Sequence, residues 1–209
     1  MADAGGEVWW VELIKVAPGL ITALFGIALV VINRKTLGAL LKRMTKFKGL
    51  GIEAEFASDL DSAIASHGVA VSANDRSSAL KRLDMVAPLL RDARILWIDD
   101  NPASTKKERT LLEKAGARIV TVRTSTDAER ELRENEYVLV ITDVKRENKP
   151  AEGLEFMQRM VREGIDRFTI AYVGTPQAGL PRPPYLFAIT NRPDHLIHYV
   201  CDVIERQRL

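Results

Sequence analysis

The stretch ARILWIDD (residues 93–100) decides the fold, because an apolar run of strand length ends there in two adjacent aspartates. The stretch YVLVITD (137–143) has the same plan and again ends in an acid. Three more apolar segments of strand length occur in this part of the chain: ARIVTVR (117–123), FTIAYVG (168–174) and YLFAIT (185–190). Near-continuous apolar strands of this kind are typical of a parallel sheet that is covered on both faces.

Charged, amphipathic segments alternate with these strands and predict helices over four ranges: 103–115, 125–134, 154–164 and 193–208. Such alternation of strands and helices indicates an α/β domain. We therefore predict one five-stranded, doubly wound parallel sheet of the flavodoxin-like type over residues 93–209.

Three acids are predicted to converge at one edge of this sheet. Asp99 and Asp100 end the first strand, and Asp143 ends the third. In the strand order 2-1-3-4-5 these two strands are neighbours at the switch point, where ligands bind at the carboxyl ends of the strands. Clustered carboxylates repel one another and need a cation, and hard oxygen ligands suit Mg²⁺. A carboxylate held beside Mg²⁺ can also act as a nucleophile toward phosphorus.

Four short motifs resemble, in this order, the receiver domain of bacterial two-component response regulators: ILWIDDN (95–101), VLVITD (138–143), VGT (173–175) and TNRP (190–193). The resemblance implies that Asp99 and Asp100 hold Mg²⁺ and that Asp143 accepts a phosphoryl group from the phosphohistidine of a kinase. It also implies that the backbone carbonyl of Lys145 completes the metal site. It leaves open whether the chain is an enzyme, since phosphoryl acceptance and slow self-dephosphorylation are the most that it implies.

Two positions at the strand ends depart from the family, so the resemblance is to an atypical receiver. The family has a Ser or Thr after strand four that contacts the phosphoryl group, whereas strict spacing places Gly174 there and Thr175 one residue late. The family's Lys before the proline after strand five is replaced by Arg192, whose planar guanidinium is not interchangeable with an ammonium. Thr175 and Arg192 are candidate phosphoryl contacts, and the alternatives are an ordinary turn threonine and a surface arginine.

Two segments near the predicted site also depart from the family. The loop VKRENKPAEG (144–153) is longer and more basic than the family's usual Met-Pro turn, and we expect it to be solvated. The segment TPQAGLPRPP (175–184) holds four prolines in ten residues, so the family's fourth helix is expected to be nearly absent. In the family the face around that helix carries output and dimer contacts, so we expect an altered or lost output switch.

Other residues that could carry chemistry have plainer interpretations. His195 and His198 stand three apart on the last helix, and we expect them to be surface or packing histidines. His67 is expected at the exposed end of a helix. Cys201 is the only cysteine, which excludes an internal disulfide, and its apolar neighbours predict a buried core thiol.

The positive charge of the chain lies in its N-terminal part. The 209 residues are 46% hydrophobic and 28% charged, with a net charge of +2, which argues against a general nucleic-acid binder. Residues 1–48 hold seven basic and three acidic side chains, whereas the other 161 residues hold 23 basic and 25 acidic ones. The excess of cations is therefore local and needs a local explanation.

The uncharged run VAPGLITALFGIALVVI (16–32) supplies that explanation, because 17 residues are near the lower limit for crossing a bilayer. Trp9 and Trp10 stand at its N-terminal edge, and the cations follow its C-terminal edge. We predict an anchor over residues 1–35 with a transmembrane helix at about 11–32. The charges place the N-terminus outside and the following chain in the cytoplasm, as a single-pass inner-membrane protein. A buried core helix is disfavoured because it would usually show a polar stripe, which this segment lacks. A cleaved signal peptide is disfavoured because its start should be basic, whereas this one carries acids.

Residues 36–92 are predicted to form a basic juxtamembrane and helical linker. TLGALLKRMTKFK (36–48) lies along the cytoplasmic leaflet or simply extends the transmembrane helix, and the sequence leaves both open. The alternation in GLGIEAEF (49–56) predicts a short strand. Helices are predicted over 57–67 and 75–91, as in a spacer or stalk, and self-association through the linker or the transmembrane helix would give a homo-oligomer.

These observations lead to two principal functional hypotheses. In the first, the chain is a membrane-tethered, receiver-like signalling protein in which Mg²⁺-dependent phosphorylation of Asp143 switches contacts with a partner or with itself. The expected partners are the membrane and a histidine kinase or another signalling protein, with no nucleic acid and no DNA-binding appendage. In the second, it is an unphosphorylated pseudo-receiver that serves as a scaffold or ligand sensor. A Toll/interleukin-receptor-like hydrolase is a third alternative, which no glycine-rich phosphate loop or clear catalytic glutamate supports.

Overall fold

The structure, a computed structural model, describes residues 55–146, 149–174 and 183–208. Its strands are β1 (Arg94–Ile98), β2 (Arg118–Val122), β3 (Leu139–Thr142), β4 (Thr169–Tyr172) and β5 (Leu186–Thr190). They form one sheet in the order β2-β1-β3-β4-β5, and every neighbouring pair is parallel. The predicted five-stranded, doubly wound sheet is confirmed, and its switch point lies between β1 and β3.

The helices in the described ranges are α1 (55–67), α2 (Ala73–Leu90), α3 (Lys106–Lys114), α4 (Ser125–Glu134), α5 (Glu152–Arg162) and α6 (Pro193–Arg208). Residues of β1 alternate between the two faces of the sheet, as the pleat of a strand requires. Ile95 and Trp97 belong to the core shared with α2, α3 and α6. Leu96 and Ile98 belong to the core shared with α4 and α5, so helices cover both faces of the sheet.

The two helices before the sheet extend its core. Phe56 and Leu60 of α1 and Leu83 and Leu90 of α2 are buried in the same cluster as β1 and α6. Arg82 of α2 also forms ion pairs with two acids of α6. Residues 55–92 therefore lie in one compact unit with the sheet. This differs from a free spacer, because the apolar faces of these helices are buried against the α/β domain.

Two local expectations differ from the structure. Residues 55 and 56 are helical and belong to α1, whereas the sequence predicted a strand over 49–56, whose remainder lies outside the described residues. The side chain of His67 is only 12% exposed, because it packs against the sheet instead of projecting from a helix end.

The predicted anchor (1–35), with its transmembrane helix at about 11–32, and the segment 36–48 lie outside the described residues. Within the described ranges, no helix combines the length and apolar character that a membrane crossing needs.

Candidate functional site

Three carboxylates meet at the carboxyl ends of β1 and β3. The backbone N–H of Asp143 donates to the carbonyl of Ile98 at 3.0 Å, which sets Asp143 beside the residue that follows β1. One ligand oxygen from each of Asp99, Asp100 and Asp143 lies within 4.8 Å of the other two. Asp99 is buried, Asp143 is partly buried and Asp100 is exposed. The structure thus brings together the three acids that the sequence singled out.

Asp99 is held in place from both sides of its carboxylate. The backbone N–H of Asn101 donates to Oδ1 at 2.9 Å, and the hydroxyl of Thr105 donates to Oδ2 at 2.6 Å. Thr105 is the N-cap residue of α3, yet its side chain makes no capping bond to that helix. The hydroxyl that would cap α3 is therefore used to orient Asp99, which ties the start of α3 to the acidic site.

Asp143 is held mainly through its backbone. Its carbonyl oxygen accepts bonds from the Thr142 hydroxyl at 3.0 Å and from Arg146 Nε at 3.1 Å, and its Oδ1 accepts a bond from the Lys145 N–H at 3.2 Å. A Cβ on Gly153 would lie 2.1 Å from the same carbonyl oxygen. Gly153 is thus required, because the first turn of α5 packs directly on the backbone that carries Asp143.

The surroundings of Asp143 disfavour its ionised form. Burial raises the pKa of the Asp143 carboxyl above its ordinary value, and the N–H of Lys145 opposes that rise. The charges of Asp99 and Asp100 raise the pKa of Asp143 further. A bound cation would relieve both the repulsion and the cost of burial. Three hard carboxylate ligands fit Mg²⁺, so the residues present suit the metal that the receiver resemblance implies.

The structure bears differently on the other predicted site residues, Lys145, Arg192 and Thr175. The N–H of Lys145 contacts Asp143, and a role for its carbonyl as a metal ligand stays a prediction. Arg192 donates to Asp194 at 2.7 and 3.1 Å and to Asp75 at 3.2 Å, so its guanidinium ties the start of α6 to α2. A phosphoryl contact by Arg192 stays a prediction, and Thr175 lies outside the described residues.

A pocket of about 510 Å³ extends from the carboxylates under α1. Its walls include His67 and Tyr172, together with Asp99 and Asp143. The sequence interpretation missed His67 because it treated α1 as part of a spacer. The available signal was the spacing of Phe56, Leu60, Ala63 and His67, which places the histidine on the buried face of α1.

No protein-family model matches this chain, and no curated protein matches it. Solved structures do resemble it. A mutant of the anti-anti-sigma factor PhyR from Bartonella quintana has a TM-score of 0.50 at 14% identity, covering 66% of this chain and 59% of that one. The response regulator TrrA from Thermotoga maritima, solved with Mg²⁺-BeF, has a TM-score of 0.46 at 22% identity, covering 53% and 97%. A receiver domain protein from Clostridium thermocellum has a TM-score of 0.47 at 24% identity, covering 56% and 97%.

At these identities the likeness concerns the fold. The chain has a receiver-like fold, in agreement with the strand order and the switch point described above.

Proposed function

We propose that this chain is a receiver-like signalling protein in which Asp143 accepts a phosphoryl group beside a Mg²⁺ ion held by Asp99, Asp100 and Asp143. The observation that carries the proposal is the convergence of these three carboxylates at the switch point of the sheet, with ligand oxygens within 4.8 Å of one another. The raised pKa of Asp143 supports it, since a carboxylate disfavoured by burial and by neighbouring acids gains from a bound cation.

The chemistry proposed is a transfer between two side chains. An oxygen of the Asp143 carboxylate attacks the phosphorus of a phosphohistidine on a partner protein. The new O–P bond forms as the P–N bond breaks, and the electron pair of the P–N bond stays on the imidazole nitrogen, which then takes up a proton. When bound, Mg²⁺ supplies positive charge for the phosphoryl oxygens. Asn101 and Thr105 orient Asp99, and the backbone contact of Lys145 orients Asp143.

The sequence before the described residues adds a further proposal. We propose that residues 1–35 anchor the chain in the cell membrane, with the receiver-like domain in the cytoplasm and a histidine kinase or another signalling protein as partner. The support is the uncharged run 16–32 and the cations that follow it. Full-length chain should stay with membranes after alkaline carbonate extraction, and a chain lacking residues 1–35 should be released. Full-length chain found in the soluble fraction would contradict the anchor.

A second candidate is an unphosphorylated pseudo-receiver, and one contact favours it. The cation that replaces the family's Lys is engaged elsewhere, since Arg192 is bound to Asp194 and Asp75. In this alternative the acidic site holds a cation or another ligand without forming a phosphoryl bond, and the domain acts through its contacts.

Incubation of the full chain in detergent with Mg²⁺ and a small phosphodonor, such as acetyl phosphate, separates the two functions. We expect mass spectrometry to find one acid-stable, base-labile phosphoryl adduct, which Asp143→Asn abolishes. Asp166→Asn is the matched control, because Asp166 is an exposed aspartate outside the site and its variant should keep the adduct. Absence of the adduct from the native chain, when a known receiver is modified in parallel, would favour the pseudo-receiver.

A further inference from the structure

A buried polar cluster lies beside the acidic site and joins three elements of the fold. Nε2 of His67, at the end of α1, is 2.8 Å from Oε1 of Glu108 in α3. The hydroxyl of Tyr172, in β4, donates to the same oxygen at 3.0 Å. The side chain of Glu108 is 2% exposed and that of His67 is 12% exposed. None of these three residues is needed for the phosphoryl chemistry proposed above.

The cluster depends on its two contacts to Glu108. A buried carboxylate is costly unless polar neighbours compensate its charge. Oε1 of Glu108 accepts a hydrogen bond from Tyr172 and lies 2.8 Å from Nε2 of His67, a close polar contact without hydrogen-bond geometry. Oε2 is buried without a hydrogen-bond partner among the described residues. Burial, the Glu108 charge and the hydrogen bond to Glu108 raise the pKa of Tyr172, so the hydroxyl stays protonated and remains a donor. Loss of His67 would leave the carboxylate with a single close polar neighbour in this part of the molecule.

The same turn of α3 touches both the cluster and the acidic site. Thr105, at the start of α3, donates to Asp99, and Glu108 follows three residues later. A shift of this turn therefore changes the support of Asp99 and the contact of His67 together. Ring contacts provide a second link, because Tyr172 packs edge-on against His67 with centroids 5.1 Å apart and against Trp97 of β1 at 6.1 Å.

The remaining polar contacts between α1 and α3 lie toward the opposite end of α1. Lys114 pairs with Asp59 at 2.7 Å and with Glu55 at 2.8 Å. The side chains of Lys114 and Glu55 are substantially exposed, and exposed ion pairs contribute little because water and salt screen them. His67 is therefore a buried polar contact through which α1 meets the wall of the acidic pocket.

We propose that His67 is a positioning residue that couples α1 to the acidic site. The proposal rests on the proposed function in one respect, namely that this site binds Mg²⁺ and a phosphoryl group. Occupation of the site fixes the first turn of α3 and the end of β4, which strengthens the docking of α1. By reciprocity, loss of the His67 contact weakens binding at the site.

Hydrogen exchange on the full chain in detergent tests this coupling, with Mg²⁺ and beryllofluoride as the probe. In the native chain the ligand should slow exchange of the amides of residues 55–67. In His67→Ala that response should disappear, and the affinity for Mg²⁺ and beryllofluoride, measured by calorimetry, should fall by about fivefold or more. His67→Gln, which keeps a polar side chain in this position, should restore most of both effects.

Lys114→Ala is the control for docking without coupling. It removes exposed ion pairs of α1 that contribute little to docking, so exchange in 55–67 should change only slightly, and the protection caused by the probe should persist. If circular dichroism shows that His67→Ala does not fold, Tyr172→Phe replaces it. That variant keeps the ring contacts and removes only the hydroxyl, so it should reduce the response of α1.

The outcomes separate the two proposals. A native chain that binds the probe without any change in exchange of 55–67 overturns the coupling and leaves the proposed function standing. The same holds if a folded His67→Ala, or Tyr172→Phe in its place, responds as the native chain does. If the native chain shows no calorimetric binding of the probe, both proposals fail together.

Discussion

Two carboxylates nine positions apart, Asp143 and Glu152, occupy opposite electrostatic environments. Asp143 lies among other acids, and burial together with their charges raises its pKa. Glu152 is also buried, but the Ser125 hydroxyl donates to its carboxylate at 2.6 Å. Two cations, Lys149 and Arg159, lie 3.3 and 3.2 Å from the same carboxylate. Burial raises the pKa of Glu152, yet these partners outweigh it and lower the pKa to about 2.

Glu152 and Asp143 therefore differ in whether the folded protein favours their ionised form. Glu152 has its compensating charge within the protein, so it needs nothing from outside. In Asp143, by contrast, burial and the charges of Asp99 and Asp100 disfavour the ionised carboxylate, which is the condition under which a bound cation would be favourable. Sites of this kind are where a protein gives up stability for binding.

Gly153 follows Glu152 in the chain and packs on the backbone carbonyl of Asp143. Its substitution should have the largest effect on the free energy of unfolding. In Gly153→Ala the new Cβ meets the Asp143 carbonyl at 2.1 Å, so the start of α5 must move. We expect a loss of about 3 kcal/mol in the free energy of unfolding, as for other overpacked positions. Urea denaturation measures it, and Gly174→Ala, where a Cβ meets nothing within 4 Å, is the control. Equal stability of the two variants would mean that the contact at Asp143 is not tight.

Glu152→Gln should have the next largest effect, because it removes a charge whose partners remain. We expect a loss of about 1–2 kcal/mol at neutral pH, reduced by screening of the exposed cations. Because the pKa of Glu152 is lower in the folded than in the unfolded chain, its ionised carboxylate stabilises the fold when the pH is above the unfolded pKa. That stabilisation is lost as the pH falls toward about 2. The difference between native chain and variant should therefore shrink as the pH falls from about 5. Glu155→Gln, at an exposed position of the same helix, is the control for the loss of one carboxylate from α5.

Asp143→Asn should have the smallest effect on stability and the opposite sign. Without divalent cations we expect a gain of about 1 kcal/mol, because an unfavourable buried charge is removed. Because the pKa of Asp143 is raised in the folded chain, the native chain loses stability as the pH rises through that folded pKa. In acid Asp143 is protonated and carries no charge, so the gain from Asp143→Asn should vanish there. Thermal unfolding across pH measures the gain. A variant less stable than the native chain at neutral pH would show that the Asp143 charge is compensated after all.

The position of Asp143 could be predicted from sequence, whereas the environment of Glu152 could not. Acids that end neighbouring parallel strands share an edge of the sheet, so Asp99 and Asp143 follow from the strand order alone. Glu152 lies in the segment 144–153, which the sequence predicted as a solvated loop, whereas in the structure it is the buried first residue of α5. Its partner Ser125 is 27 residues away on another helix. Such pairings depend on how helices pack on the sheet, which local sequence does not encode.

The role of α1 escaped prediction for a related reason. Its apolar positions predict a helix with one buried face, but they do not say which surface covers that face. The preceding basic segment favoured a stalk beneath the membrane, whereas Phe56 and Leu60 are buried against the α/β domain. His67 then follows on the same face and meets Glu108 and Tyr172.

Calorimetric titration with Mg²⁺ tests the central claim most directly, since it compares the two carboxylates in one assay. The native chain should bind one Mg²⁺, Glu152→Gln should bind it with unchanged stoichiometry, and Asp143→Asn should lose at least tenfold in affinity because one of the three ligands is gone. Equal affinity of Asp143→Asn and the native chain, or no binding by the native chain, would contradict a cation site built from Asp99, Asp100 and Asp143.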